Sequence, residues 1–208
     1  MTIKAVIFDM DGVLIDARDW HFQALNESLG LFGFRIDEKL HDSQFDGLPT
    51  RIKLEILSKD FGLPRSLHPI IQEVKQNRTL RIAAEKCFPS TQHLLLLGRL
   101  KHEGMKIGVA TNSIRQSAEY MLEYAGVSKY LDSLVTNEDV SQPKPDPEIY
   151  QMTCSLLQVE PRETLVFEDN ENGIRAATLA GCQVVEVASP AEVNLGKYFS
   201  QNSRIAND

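Results

Sequence analysis

The amino-acid sequence predicts an α/β protein: a doubly wound, parallel, Rossmann-like sheet with a small α-helical cap domain inserted into it. Short runs rich in Val, Ile, Ala and Phe, each about as long as a buried strand, alternate with helical patterns over most of the chain. Between the first and second strands lie about 90 residues, far more than one crossover helix requires, and their pattern is helical. These two observations predict one α/β domain with a helical insertion.

The predicted strands cover residues 3–8, 106–111, 133–136, 164–168 and 183–187. The predicted helices after the insertion cover residues 92–102, 116–124, 146–157 and 173–180. Gly104, Gly126 and Gly181 follow three of these helices, as glycine commonly does at a helix C-terminus, and Pro145 precedes the fourth. This alternation favours parallel strands joined by crossover helices.

The insertion is predicted to form a helical cap over residues 17–85, while residues 1–16 and 86–208 form the α/β domain. Three apolar helical faces support the cap, at Phe22, Leu25, Leu29 and Phe32 and within residues 52–57 and 70–84.

Composition and charge exclude several classes of protein. The chain has 208 residues, of which 42% are hydrophobic and 25% charged, so it can bury a sizeable core but is too short for a large multidomain assembly. Its net charge of −7 gives no long-range attraction for nucleic acid or acidic membrane surfaces, and we expect neither as a partner. No heptad repeat fixes the oligomeric state, so a monomer and a homodimer both stay open.

The N-terminal segment and the cysteines predict a reduced, cytoplasmic protein. Asp9 and Asp11 interrupt the first apolar run, which therefore lacks the core of a signal peptide and the length of a membrane span. Cys87, Cys154 and Cys182 are an odd number, far apart in sequence, and fit neither a disulfide framework nor a zinc cluster.

Two carboxylates leave the end of the first predicted strand in the string Asp9-Met10-Asp11-Gly12. Open α/β sheets bind ligands at this edge. One carboxylate there can attack phosphorus while the other exchanges a proton with the leaving oxygen. An EF-hand loop is the rival interpretation, but Val13 stands where that loop needs a ligand, and a strand instead of a helix precedes it.

Polar residues also follow the second predicted strand, at Thr111, Asn112 and Ser113. A hydroxyl and backbone N–H groups at the start of a helix suit phosphoryl oxygens. An ordinary N-cap of the next helix explains the same residues.

A lysine stands between two prolines at Pro143-Lys144-Pro145. The flanking prolines restrict its backbone, which favours a positioned ammonium group that balances the charge of a phosphoryl group. A solvated loop lysine is the alternative.

Two adjacent acids, Glu168 and Asp169, end the fourth predicted strand with no basic residue beside them. They would repel each other unless a cation lies between them, and Mg²⁺ prefers such carboxylates together with phosphate oxygens. Capping of the next helix by Asp169 or Asn170 is the alternative.

The four strand ends together supply an acid pair, a hydroxyl, a lysine and a second acid pair at one edge of the sheet. The motifs DMDGV, VATNS, Lys144 in QPKPDPEIY, and VFEDNENGI resemble the four motifs of the haloacid-dehalogenase-like (HAD) superfamily over nearly the whole chain. The sequence is most similar to the group with a small helical cap, which includes β-phosphoglucomutase and many sugar-phosphate phosphatases.

The resemblance implies a role for each motif residue. Asp9 would be the nucleophile, Asp11 the general acid/base, Thr111 and the Asn112 amide the phosphoryl-binding groups, and Lys144 the neutralising charge. It also implies a Mg²⁺ ion bound by Asp9, the Asp11 carbonyl and Asp169, with Glu168 as a ligand or as a support behind the ligands.

The same resemblance implies that the cap selects the substrate, through His21, Arg51 and Lys75, with Arg115 at the entrance. Arg51 would grip a distal phosphate or carboxylate, and His21 would hydrogen-bond Asp11 or the leaving group. The alternatives are an exposed arginine at a helix start, a surface histidine, and a helix-surface role for Arg115.

The predicted function is a Mg²⁺-dependent phosphohydrolase that acts on a small phosphorylated metabolite, such as a sugar phosphate, through an aspartyl-phosphate. A phosphomutase uses the same core residues and needs a second phosphate site, for which Arg51, Lys75 and Arg115 are candidates. TNSIRQS and QPKPDPE match the β-phosphoglucomutase pattern poorly, which favours the phosphatase. A non-catalytic phospho-ligand binder is the third hypothesis; a dehalogenase would not need Asp11.

Overall fold

A computed structural model describes residues 2–198 and 200. Its sheet has five parallel strands in the order β3-β2-β1-β4-β5, namely β1 (Ala5–Phe8), β2 (Lys106–Ala110), β3 (Ser133–Val135), β4 (Thr164–Glu168) and β5 (Gln183–Glu186). The predicted doubly wound α/β fold is thereby confirmed, and each strand lies within the residues predicted for it. The end of the α/β domain at residues 201–208 lies outside the described residues.

Eight α-helices occur in the part of the chain described: α1 (Arg18–Gly30), α2 (Glu38–Leu40), α3 (Thr50–Phe61), α4 (His68–Lys86), α5 (Thr91–His102), α6 (Arg115–Tyr124), α7 (Glu148–Leu157) and α8 (Glu171–Ala180). A π-helical turn, His41–Phe45, follows α2. The helices α5 to α8 pack around the sheet, and α1 to α4 fill the predicted insertion.

The central strands are buried on both faces, because helices cover both sides of the sheet. Every residue of β1 and β4 is buried, which explains why their sequences AVIF and TLVFE are almost continuously apolar. The register places Phe8 beside Phe167, and their rings stack at 5.2 Å. β4 therefore runs one residue beyond β1, and Asp9 and Asp169 follow directly after the two strands.

The inserted helices have a hydrophobic cluster of their own, formed around Leu25, Leu29, Leu54 and Ile71. At the base of the insertion, Trp20 and Ala24 of α1 and Ile82 and Ala83 of α4 join the core of the α/β domain instead. The insertion is thus packed within itself and against the sheet domain.

None of the helices described is long and apolar enough to cross a membrane. Cys87, Cys154 and Cys182 are all free thiols. The fold nevertheless brings Cys154 Sγ within 3.9 Å of Cys182 Sγ, although 28 residues separate them.

Candidate active site

A cleft lies between the C-terminal ends of the strands and the inserted helices. Its floor carries the motif residues at the ends of β1, β2 and β4, and its roof carries residues of α1, α3, α4 and the loop before α3. All the core residues singled out in the sequence line it: Asp9, Asp11, Thr111, Asn112, Lys144, Glu168 and Asp169. Parallel strands that end at one edge bring these distant segments together.

A buried lysine joins two carboxylates on the floor of the cleft. Lys144 Nζ donates to Asp9 Oδ1 at 2.6 Å and to Glu168 Oε1 at 2.5 Å, and all three side chains are almost fully buried. Burial lowers the pKa of Lys144, but the two carboxylates outweigh burial and hold that pKa above its usual value. Lys144 is therefore a fixed positive charge beside Asp9.

Glu168 uses all of its acceptor positions in holding this arrangement. Oε1 accepts from Lys144 and from the Tyr150 hydroxyl at 2.6 Å, and Oε2 accepts from the backbone N–H groups of Asp169 and Asn170 at 3.1 and 3.2 Å. Four donors satisfy a carboxylate. Tyr150 was not predicted as a site residue, because nothing in the sequence near it indicates that its hydroxyl reaches the last residue of β4.

Asp9, Glu168 and Asp169 form a group of carboxylates that could hold a metal ion, since one oxygen of each lies within 4.8 Å of the others. Asp169 Oδ1 is buried and has no hydrogen-bond partner among the described residues, as expected of an atom that awaits a cation. Burial, followed by the charge of Glu168, raises the pKa of Asp169 to about 7. A divalent cation would relieve this repulsion.

Gly12, which has no side chain, leaves the space that the Asp169 carboxylate occupies. Its φ is +89°, which side chains other than glycine's rarely adopt, and a Cβ there would overlap the carboxylate. The sequence signal was the glycine directly after Asp11.

The second carboxylate of the first motif, Asp11, is held from two sides. Ser113 Oγ donates to Asp11 Oδ2 at 2.7 Å, and His21 Nε2 lies 3.0 Å from Asp11 Oδ1. On the other side of the ring, Lys75 Nζ lies 3.2 Å from His21 Nδ1. The chain Lys75–His21–Asp11 thus connects α4, α1 and the end of β1.

The surroundings of Asp9 and Asp11 shift the pKa values of these two carboxyl groups in opposite directions. Burial raises the pKa of Asp9 well above its usual value, and Lys144 offsets this only in part. Burial also raises the pKa of Asp11, but His21 and the hydrogen bond from Ser113 outweigh it, so that this pKa falls below its usual value. Burial lowers the pKa of His21, although the neighbouring Asp11 carboxylate raises it.

The hydroxyl motif lies between these groups. Thr111 is buried, and its Oγ1 accepts from the N–H of Ser113 at 3.0 Å. The Asn112 side chain accepts from the Lys144 N–H at 3.2 Å and donates to the Gly47 carbonyl at 2.8 Å. Asn112 therefore ties the lysine loop to the inserted segment.

The loop before α3 touches the floor directly. Asn170 Nδ2 donates to Asp46 Oδ2 at 3.2 Å, and Arg18 Nη2 pairs with the same oxygen at 2.5 Å. Gly47 has a φ of +70°, and a Cβ there would lie 2.7 Å from Asn170 Oδ1, so only glycine permits this approach. The roof is closed over the floor in this structure.

Two residues expected to face the substrate lie elsewhere. Arg51 is exposed on the outer side of α3, in a surface groove with Glu55 and Arg65. Arg115 pairs with Asp139 at 2.6 Å and with Glu119 at 3.4 Å, which directs it away from the cleft. Neither arginine is among the residues that line the cleft, so the structure does not bring them together with the other predicted site residues.

Lys53, on α3, occupies the position expected of Arg51. Two residues along a helix turn the side chain by about 200°, so Arg51 and Lys53 lie on opposite faces. Lys53 lines the cleft and is 8% exposed. One feature of the sequence indicates Lys53: it lies one helical turn after Pro49, which also lines the cleft.

A known protein family matches most of this chain. Residues 6–187 match the haloacid dehalogenase-like hydrolase family. The chain belongs to this family. The HAD resemblance of its four motifs is thereby confirmed.

Among curated HAD relatives, a phosphorylated carbohydrates phosphatase of Thermotoga maritima is 33% identical over 181 residues, which are 87% of this chain and 83% of that protein. A β-phosphoglucomutase of Bacillus subtilis is 30% identical over 193 residues, or 89% of this chain and 83% of the relative. Among solved structures, a β-phosphoglucomutase of Clostridium difficile superposes with a TM-score of 0.87 at 23% identity and covers 100% of both chains. That likeness supports the shared fold.

Proposed function

We propose that this HAD protein is a Mg²⁺-dependent phosphohydrolase that acts on a small phosphorylated metabolite, such as a sugar phosphate, through an aspartyl-phosphate. One observation carries the proposal: Asp9, paired with a buried lysine, and Asp11, held by His21 and Ser113, face the same cleft. This arrangement provides a nucleophile and a separate proton-transfer group. The phosphatase relative described above supports the class of substrate.

In the first step, a carboxylate oxygen of Asp9 attacks phosphorus, and the bond from phosphorus to the ester oxygen breaks. Asp11 gives its proton to that leaving oxygen. Lys144, 2.6 Å from Asp9, balances the charge of the incoming phosphoryl group, and Thr111 and the Asn112 amide bind its oxygens.

In the second step, water attacks the phosphorus of the aspartyl-phosphate. Asp11 takes the proton from this water, inorganic phosphate leaves, and Asp9 is restored. Contacts that hold the pKa of Asp11 low suit it to release the proton in the first step, and an adjacent phosphate dianion makes protonation easier in the complex.

Mg²⁺ would be held by Asp9 and Asp169, together with the Asp11 carbonyl. Glu168, whose acceptor positions are filled, would support Lys144 and the Asp169 backbone from behind. When bound, the ion polarises the phosphoryl group and offsets its negative charge. The unpartnered Asp169 Oδ1 supports this assignment.

We also propose the division of labour between domains that the sequence predicts: residues 1–16 and 86–208 carry the chemistry, and residues 17–85 act as a cap. The contacts of Asp46 and Gly47 with Asn170 and Asn112 support it, because they join the insertion to the residues at the strand ends.

A phosphomutase is the second candidate, and the β-phosphoglucomutase relative favours it. Its aspartyl-phosphate would be attacked by a second hydroxyl of a sugar phosphate instead of by water. The positions of Arg51 and Arg115 outside the cleft remove two candidates for its second phosphate site.

The deciding experiment measures phosphate release from sugar phosphates, nucleoside monophosphates and short phospho-acids with Mg²⁺ and with EDTA. Asp9→Asn is the test variant, and Asp19→Asn, an exposed position on α1, is the matched control. Release by the wild type and Asp19→Asn that EDTA and Asp9→Asn both abolish is the expected result.

Failure to release phosphate from any ester would contradict the phosphohydrolase. Conversion of glucose 1-phosphate to its isomer in the presence of a bisphosphate primer would then identify the mutase. Inactivity in both assays would leave the binding protein.

A further inference from the structure

The roof of the cleft holds a buried positive charge that the reaction above does not use. Lys53 is 8% exposed and lines the cleft, and no group in the described part of the chain lies within hydrogen-bond or ion-pair distance of its ammonium. Burying a charge without a partner is costly. Such a group is expected to have its partner in a ligand.

A second lysine lies close to it. Lys75 also lines the cleft, and the charges of the two ammonium groups affect each other. Burial, followed by repulsion from Lys75, lowers the pKa of Lys53 to about 7, and burial lowers the pKa of Lys75 to about 8. An anion between them would relieve both penalties.

The carboxylates near these lysines are already engaged. Asp46 accepts from Arg18 and Asn170, and Asp11 accepts from Ser113 and contacts His21. Neither carboxylate lies within ion-pair distance of Lys53. Asp46 and Asp11 attract Lys53 from beyond ion-pair distance, but this attraction does not outweigh the cost of burial and the repulsion from Lys75.

The place of Lys53 on α3 adds to this. It lies in the second turn of a 12-residue helix whose first residue, Thr50, also lines the cleft. The N-terminal end of a helix favours an anion and disfavours a cation. The N-terminal end of α3, which lines the cleft at Thr50, therefore adds to the attraction for an anion there.

We propose that Lys53, with Lys75, binds a second anionic group of the substrate, so that the protein selects phosphate monoesters bearing a carboxylate or a further phosphate over esters of neutral alcohols. The inference rests on the proposed phosphohydrolase function, in which the reacting phosphoryl group occupies the floor beside Lys144. An ester without the second anion leaves the Lys53 ammonium unpaired, and sites with unpaired buried groups discriminate strongly.

The test compares two pairs of esters that differ in the distal group: phosphoglycolate with 2-hydroxyethyl phosphate, and fructose 1,6-bisphosphate with fructose 1-phosphate. The first pair tests a carboxylate and the second a phosphate. The variants are Lys53→Met and, as the matched control on the exposed side of the same helix, Lys59→Met. The readout is kcat/KM for phosphate release.

We expect Lys53→Met to lower kcat/KM for at least one of the two anionic esters by about ten- to a hundredfold, the usual effect of losing a hydrogen bond to a charged group. For the neutral partner of that pair the change should stay below about threefold, and Lys59→Met should change neither. The melting temperature of Lys53→Met should equal or exceed that of the wild type, because an unpaired buried charge is removed. Equal losses on both members of each pair, or no loss on either anionic ester, would overturn the proposal.

Failure of the proposed function gives a different result. If the wild type hydrolyses the neutral esters and Lys53→Met leaves the anionic preference unchanged, the phosphohydrolase stands and the second anion site does not. If no ester is hydrolysed, the deciding experiment is calorimetric titration of the Asp9→Asn variant with both pairs of esters. Tighter binding of an anionic ester, lost when Lys53→Met is added, supports the site, and equal affinities overturn it.

Discussion

The floor and the roof of the cleft each bury a lysine, but the two lysines differ in their ion-pair partners and in the direction of their pKa shifts. Lys144 on the floor lies within 2.6 Å of Asp9 and 2.5 Å of Glu168, and its pKa is raised. Lys53 on the roof has no carboxylate within ion-pair distance, and its pKa is lowered to about 7. Lys144 thus has its partners within the protein, whereas the proposed partner of Lys53 is a ligand.

The roles proposed for the two lysines account for this difference. Chemistry on a phosphoryl group needs a charge whose position does not depend on the substrate, so Lys144 is fixed by its neighbours. Selection needs a charge whose partner is the substrate, because only then does a substrate without that partner incur a penalty. The variants below test whether the two lysines differ in this way.

The largest effect is expected on the floor from Asp9→Asn. The amide cannot form an aspartyl-phosphate, so phosphate release should fall by at least about a thousandfold, as for other lost nucleophiles. The colorimetric phosphate assay checks this, with Asp19→Asn active at the wild-type level. Activity of Asp9→Asn above one-tenth of the wild type, in a preparation free of contaminating phosphatase, would remove Asp9 from its role.

The same substitution at the two lysines should have opposite effects on stability. Lys144→Met removes the cation paired with the buried carboxylates of Asp9 and Glu168, although Glu168 keeps its other three donors. It should lower the free energy of unfolding by about 3–5 kcal/mol. Lys53→Met removes an unpaired charge and should leave it unchanged or raise it by about 1–4 kcal/mol. Urea denaturation at pH 7 measures both, and equal destabilisation would contradict the comparison.

The pH dependence of stability sharpens the same contrast. The pKa of Lys53 is about 7 in the folded protein and 10.5 at its ordinary value, so the unfolded chain binds more protons between these pH values. The Lys53 contribution to the free energy of unfolding therefore rises with pH from about 7 to about 10.5. Lys53→Met should lose this increase, whereas Lys59→Met should keep it.

A smaller effect is expected where floor and roof meet. His21→Asn removes the contact of 3.0 Å with Asp11 and should lower kcat by about tenfold, within the range for lost proton-transfer support. Burial would then act on Asp11 with less opposition, so the acidic limb of the kcat profile should move to higher pH. His102→Asn, on the exposed end of α5, is the control. A fall in kcat with an unmoved limb would assign His21 a packing role only.

A further effect is expected on substrate preference between pH 7 and pH 9, where the esters are dianions. The preference for the anionic member of a pair should decline as the pH rises, by up to about tenfold per unit, because Lys53 and Lys75 lose their charge. The charged or titratable groups around Lys53 are Lys75, Asp46, Asp11 and His21. Lys53→Met should flatten the decline, and a preference independent of pH in the wild type would contradict the role of the lysines.

The sequence predicted the floor of the cleft because the floor follows from the sheet. Asp9, Thr111 and Asp169 each come directly after, or one residue beyond, a buried apolar run, and parallel strands necessarily end at one edge. Chain order and alternation therefore suffice to bring them together, and the structure places all of them in one cleft.

The roof could not be predicted to the same depth. Which face of α3 meets the cleft depends on how the insertion packs on the sheet domain, and an error of two residues exchanges Arg51 for Lys53. Arg115 was misplaced for a related reason, because Asp139, 24 residues later, binds it. Charge and motif position alone do not reveal such competing partners.

The sequence by itself determined the α/β fold, the helical insertion and the identity of the core motif residues, because these depend on local patterns and on strand order. Tertiary structure alone decided which charges are compensated. It brought Tyr150 and Lys144 into contact with Glu168 and His21 into contact with Asp11. Among the described residues, it left Lys53 without a carboxylate within ion-pair distance. Compensation depends on distances of a few ångströms between segments far apart in the chain, and no local pattern encodes those distances.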